Sequence, residues 1–145
     1  EEDGWKSASP GYQVPDEIPL GDWSQFGLAT FSGLGRYTCE IDLDWSPGSG
    51  KNAMLYLGRV AISAEVKVNG EIAGIVLFEP YTIDLTSLLA NGKNRIEVTV
   101  ANTLSNYFSQ FEELAGNPLN LGGDFPERRV SGWIGPAKLV LSETE

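Results

Sequence analysis

Residues 62–78 read ISAEVKVNGEIAGIVLF, and this stretch decides the fold. Ile62, Ala64, Val66 and Val68 alternate with Ser63, Glu65, Lys67 and Asn69, the period of two that sends successive side chains to opposite faces of a strand. Asn69-Gly70 follows at once. Both residues tolerate the positive φ that a type I′ turn requires, so the pair predicts a tight β-hairpin. The return strand, Ile72 to Phe78, is apolar at nearly every position, which predicts cover on both faces or a place beside a neighbouring domain.

The same alternation continues outward in both directions. Tyr37, Cys39, Ile41 and Leu43 alternate with Thr38, Glu40 and Asp42, predicting a half-buried strand with Cys39 as a buried, inert thiol on its apolar face. Residues 46–50, SPGSG, end that strand in a turn, and Ala53 to Leu57 form a short apolar strand. Downstream, Tyr81, Ile83 and Leu85 alternate, residues 86–92 predict one capped helical turn before a glycine stop, and Asn94 to Val100 resume a strand. Ala137 to Leu141 give a closing strand. Between these, Thr103 to Arg129 show no sustained β pattern and carry Asn117-Pro118, Gly122-Gly123 and Phe125-Pro126, the marks of one long loop. Residues 1–22, with Pro10, Pro15 and Pro19, read as an extended lead-in or linker, leaving 23–145 as one domain. Many short strands, frequent turn signals and little helix predict an all-β fold, an antiparallel β-sandwich or jelly roll.

Composition narrows the functions. The 145 residues suit a single domain, and no apolar run approaches the ~20 residues of a membrane helix. A formal net charge of -10 repels phosphate backbones and anionic lipid surfaces, so neither nucleic acid nor membrane is an expected partner. The absence of histidine removes Ser-His-Asp and Cys-His nucleophile systems and histidine metal sites. Cys39 is the one cysteine, so an internal disulfide is impossible. The opening residues, Glu1-Glu2-Asp3-Gly4-Trp5, hold neither the basic nor the apolar region of a signal peptide.

A resemblance now carries further. Phe31-Ser32-Gly33, Gly35-Arg36-Tyr37, the run from Leu55 to Tyr107 and the closing residues 131–141, SGWIGPAKLVL, together resemble the galactose-binding-like β-sandwich domains of glycoside hydrolases. The likeness is to the sugar-binding-like sandwich of family 2 and to the C-terminal sandwich of family 106 α-L-rhamnosidases. It rests on Ala64-Glu65-Val66, Val68-Asn69-Gly70, Pro80-Tyr81, Asp84-Leu85-Thr86, Asn94, Asn102, Asn106 and Gly135-Pro136 in that order. Phe78-Glu79 departs from the aromatic-proline step of those families, and residues 107–130 are a longer insertion.

The resemblance implies a galactose-binding-domain-like fold and a non-catalytic accessory domain of a larger glycoside hydrolase. Such a domain packs against, and helps complete, a neighbouring catalytic site in the same chain, outside the cytoplasm. An autonomous carbohydrate-binding module is the alternative, and a free-standing hydrolase a second one. A structural calcium is compatible with the resemblance, but no ligand set is assigned and no other cofactor is implied.

Four residues are candidates for carbohydrate binding. Asn102, Asn106 and Tyr107 begin the long loop, where amides hydrogen-bond hydroxyls while a ring covers the apolar face of a pyranose; the same amides also suit loop backbone groups. Trp133, held between Gly132 and Gly135-Pro136, is either a stacking platform or a plug of the core. Trp45 is the tryptophan expected at the surface. No catalytic pair is assigned: Asp42 with Asp44 share a solvent face, and Glu112 with Glu113 lie in the loop. Arg128-Arg129 is a solvated pair by default, or a grip for a carboxylate.

Overall fold

The computed structural model describes residues 18–46, 48, 50–111 and 127–143. Among these, nine strands run in the order β1 (Leu34–Leu43), β2 (Lys51–Tyr56), β3 (Arg59–Ala61), β4 (Ser63–Val68), β5 (Glu71–Val76), β6 (Thr82–Asp84), β7 (Gly92–Ala101), β8 (Gly132–Gly135) and β9 (Lys138–Glu143). Among the described residues, helix is confined to a 3-10 turn at Trp23–Phe26 and one α turn, α1, at Ser105–Phe108. The predicted β-sandwich is present, and every strand pair is antiparallel. One sheet has the order β1-β7-β4-β5, the second β6-β2-β9, and β3 pairs with β8 as a small third ribbon.

The hairpin forms as its sequence dictates. Asn69 and Gly70 take φ of 52° and 88°, the two positive values of a type I′ turn, and Val68 faces Glu71 across it. Alternation then builds the core: Ala64, Val66 and Val68 from β4 and Ile96, Val98 and Val100 from β7 point inward. They meet Ala53 and Leu55 of β2 and Ile83 of β6. Gly74 makes this contact close, because a Cβ there would stand 3.0 Å from Ile83 Cδ1.

Return strand β5 is not roofed on both faces. Its register shifts between Val66 and Lys67, so Ile72 faces Lys67 while Ile75 faces Glu65. The irregularity puts both isoleucines on the outer face of the sheet, at its edge. Ile72, Ile75, Leu77 and Phe78 are all exposed, Ile75 at 62% and Phe78 at 75%.

Cys39 departs from its predicted burial: its thiol is exposed. It lies on edge strand β1, where Tyr37, Ile41 and Leu43 on the same strand are themselves only partly buried against the core. Trp45 departs in the opposite direction, at 1% exposure, because the chain beyond β1 folds in over the end of the sandwich and its indole joins the core. Residues 85–90 form one turn, with Leu88 N–H and Leu89 N–H both donating to Leu85 O at 3.0 and 3.2 Å. The stretch read as one loop from Thr103 contains α1, and its part at 112–126 lies outside the described residues. Of the lead-in, 1–17 lie outside them too, while 18–22 rest on the sandwich, where Gly21 N–H donates to Trp133 O at 2.7 Å.

Asn94 is the polar hub at the hairpin end. It is buried, and its Oδ1 accepts from Ala90 N–H at 2.8 Å and from Asn69 Nδ2 at 3.0 Å. Its Nδ2 donates to the carbonyls of Ala90 and Gly92 at 2.8 and 3.0 Å. Asn94→Ala strands several of these groups away from water, and is expected to lower stability by about 2–4 kcal/mol in urea unfolding, with the fold retained. A smaller electrostatic contribution sits nearby, where the Thr86 hydroxyl and backbone N–H hold the Asp84 carboxyl below its ordinary 3.8. A carboxyl depressed by folding stabilises the native state fully above pH 3.8 and loses that contribution as pH falls through its lower folded value. Asp84→Asn is therefore expected to flatten the acid limb of a stability–pH curve below about pH 4, by a small amount, because water screens this exposed group.

Candidate functional site

One end of the sandwich gathers the chemistry. The start of β1, the end of β7, the end of β2 and the start of β6 all reach it, together with α1. Three of the four candidate residues are committed there to internal bonds. Asn102 Nδ2 donates to Phe31 O at 2.7 Å, and its Oδ1 accepts from Gly33 N–H at 2.8 Å. Asn106 does the same for Arg129, donating to its carbonyl at 2.9 Å and accepting from its N–H at 2.7 Å. These amides act as struts that bind 31–33 and 129 to the loop, Asn106 buried and Asn102 half-buried.

Trp133 lies inside the core. Its Nε1 donates to Leu57 O at 2.7 Å and its ring meets Tyr37 edge-on at 5.2 Å. Beside it, Trp23 Nε1 donates to Tyr37 Oη at 2.7 Å, and Gly35 and Gly132 leave the room the Trp23 indole occupies. Tyr107 is the one candidate of the four that is exposed; its ring packs edge-on against Phe108 and Phe111, at 5.6 and 5.2 Å. The structure thus brings Asn102, Asn106 and Tyr107 to one rim and sends Trp133 inward.

Of the two carboxylate pairs read in sequence, one lies within the described residues. Asp42 and Asp44 are exposed, and Glu112 and Glu113 lie outside the described set. Among the described residues no group of three or more acidic or cysteine side chains is placed to hold a metal ion. Arg129 grips its own neighbour, Glu127, at 2.8 Å.

A cleft of about 510 Å³ opens at this end, lined by Tyr56, Gly58, Glu79, Pro80, Tyr81 and Thr82. Its walls are backbone-braced. Tyr56 pairs with Thr82 across β2 and β6, Leu57 N–H donates to Tyr81 O at 2.9 Å, and Tyr81 Oη donates to Ile62 O at 3.1 Å. Gly58, at φ 67°, turns the chain where a Cβ would strike the Gly135 backbone. None of these residues stood out as a site in sequence, because Glu79-Pro80-Tyr81 reads as the end of a strand and Tyr56 as part of another.

The struts give a direct test. Asn106→Ala leaves Arg129 N–H and carbonyl without their partners, and is expected to cost about 1–3 kcal/mol in thermal unfolding. Amide exchange in residues 105–111 and 127–131 should accelerate, while that of β4 and β7 stays unchanged.

No family model matches the chain. Over 120 residues it is 31% identical to a protein of Formosa agariphila provisionally named a β-glucuronidase, a match spanning 79% of this chain and 10% of that protein. Its structure superposes on the rhamnosidase from Novosphingobium sp. PP1Y with a TM-score of 0.71 and 30% identity, over 89% of this chain and 13% of that one. The FMN-binding β-glucuronidase from Facaelibacterium prausnitzii L2-6 shares the fold at a TM-score of 0.64 and 20% identity, over 90% of this chain and 20% of that one. The structural neighbours are rhamnosidase and glycoside hydrolase family 2 chains, and this chain spans only about a tenth to a fifth of the relatives' lengths. A small accessory sandwich domain fits that pattern.

Proposed function

We propose that this chain is a non-catalytic accessory β-sandwich of a larger, extracytoplasmic glycoside hydrolase, and that it docks on the catalytic domain beside it. The observation that carries the reading is the exposed apolar strip of Ile72 and Ile75 on edge strand β5 and of Leu77 and Phe78 just beyond its end. Exposed apolar side chains in a row on a sheet edge are rare unless another surface covers them. Each such side chain contributes about 1.5–3 kcal/mol when fully covered, so four of them make an effective docking seam. The likeness to a short part of much longer hydrolase chains supports the same reading. The absence of histidine from the sequence agrees with a domain that supplies surface rather than bond cleavage.

In this reading the rim from Asn102 to Tyr107, on the same end of the sandwich as Phe78, borders the neighbour's active site. Its amides brace the rim, and Tyr107 is the side chain free to face outward.

The test uses the double variant Ile75→Lys with Phe78→Asp in two settings. In the 145-residue chain the melting temperature should stay within a degree or two, since both side chains are exposed. In a chain that also contains the catalytic domain, the same variant should split one cooperative transition into two and speed proteolysis between the domains. An unchanged single transition in the longer chain sinks the proposal.

A further inference from the structure

We infer that the cleft between Tyr56 and Tyr81 is a binding site for an uncharged pyranoside, distinct from the Asn102–Tyr107 rim. Its volume of about 510 Å³ falls within the ~300–1,000 Å³ of small-molecule sites. The cleft is open and shallow in character, with the Tyr56 ring 42% exposed on one side and Tyr81 packed against the core on the other. Between them stand three polar groups without a hydrogen-bond partner among the described residues: Tyr56 Oη, the Glu79 carboxylate and the Thr82 hydroxyl. An apolar ligand would leave those groups unpaired, and a wholly polar one would gain nothing from the rings.

A sugar ring answers both demands at once. Its face of C–H groups lies on a tyrosine ring, and adjacent hydroxyls donate in a fork to one carboxylate while accepting from a hydroxyl. Among the described residues Glu79 is the one charged side chain in the lining, and it sets the charge preference. A uronate would bring a second carboxylate against Glu79, so the site selects uncharged sugars and rejects acidic ones. The frame is partly preorganised: the Tyr56–Thr82 pairing and the Leu57-to-Tyr81 hydrogen bond brace the backbone of both walls, and the Tyr81–Ile62 hydrogen bond holds the Tyr81 ring.

The inference is separate from the docking proposal, because the 145-residue chain alone can be tested with no neighbour present. Amide chemical shifts are followed while methyl β-D-glucoside, β-D-galactoside, β-D-mannoside, α-L-rhamnoside and β-D-glucuronide are added one at a time. At least one uncharged glycoside should give saturable shifts at Gly58, Glu79, Tyr81 and Thr82, in the ~mM range common for single sugars on open sites. Glu79→Gln and Tyr56→Ala, both at exposed positions, should each weaken that binding about tenfold or more, with amide spectra otherwise native. The glucuronide should leave these four amides unmoved. Absence of saturable shifts with every uncharged glycoside overturns the inference, as do shifts confined to another surface. Binding that survives both substitutions, or a glucuronide that binds as well as the uncharged sugars, overturns it equally. None of these outcomes alters the melting test of the β5 strip.

Discussion

Trp23 and Trp133 are each held by one indole hydrogen bond, to the Tyr37 hydroxyl and to the Leu57 carbonyl, within a core that is otherwise mainly apolar. Tyr37 touches both tryptophans, so a single chain of contacts links the segment before β1, strand β1, the β2–β3 junction and strand β8. Large rings in a core need matching gaps, and Gly35 and Gly132 provide them for Trp23. This cluster closes the end of the sandwich where β3 and β8 form their own ribbon. The cleft wall at Gly58 depends on it in turn, because Gly58 approaches the Gly135 backbone and the Leu57 carbonyl accepts the hydrogen bond of the Trp133 indole.

The two ends of the molecule are braced by different chemistry. At the hairpin end a network of amides, centred on Asn94 and Asn69, ties three segments through side-chain-to-backbone bonds. At the opposite end Asn102 and Asn106 perform the equivalent task for the loop after β7. Four asparagines thus replace the regular ladder where strands stop, which is where backbone groups otherwise lack partners.

Local signals were legible in sequence. The Asn69-Gly70 turn, the alternation of β4 and β7 and the single turn near Leu85 depend on neighbouring residues, and each lies where the pattern put it. What failed depended on partners distant in the chain. Cys39 alternates with polar residues, but it is exposed on a strand that lies at the edge of its sheet, a property of topology. Trp45 followed a run of acidic residues and read as surface, yet its backbone turns inward after Leu43. Strand β8 was hidden by two glycines and a following proline, residues that oppose strands locally and here make room for Trp23 and for a close backbone approach. Similarly, the amides of Asn102 and Asn106 were legible as recognition groups, but the carbonyls that consume them come from segments far upstream and downstream.

Edge strand β5 carries one more implication, for how such a surface avoids the wrong company. Glu71 and Glu79 flank the apolar row, and the whole chain bears a net charge of -10. Two free copies approaching edge to edge would meet strong mutual repulsion before their isoleucines touched. A covalently joined neighbour faces no comparable barrier, since tethering holds it at a local concentration of about millimolar or more whatever its charge. In the proposed arrangement the acidic surface and the apolar edge would work together, one favouring contact with an attached domain and the other opposing contact between free copies.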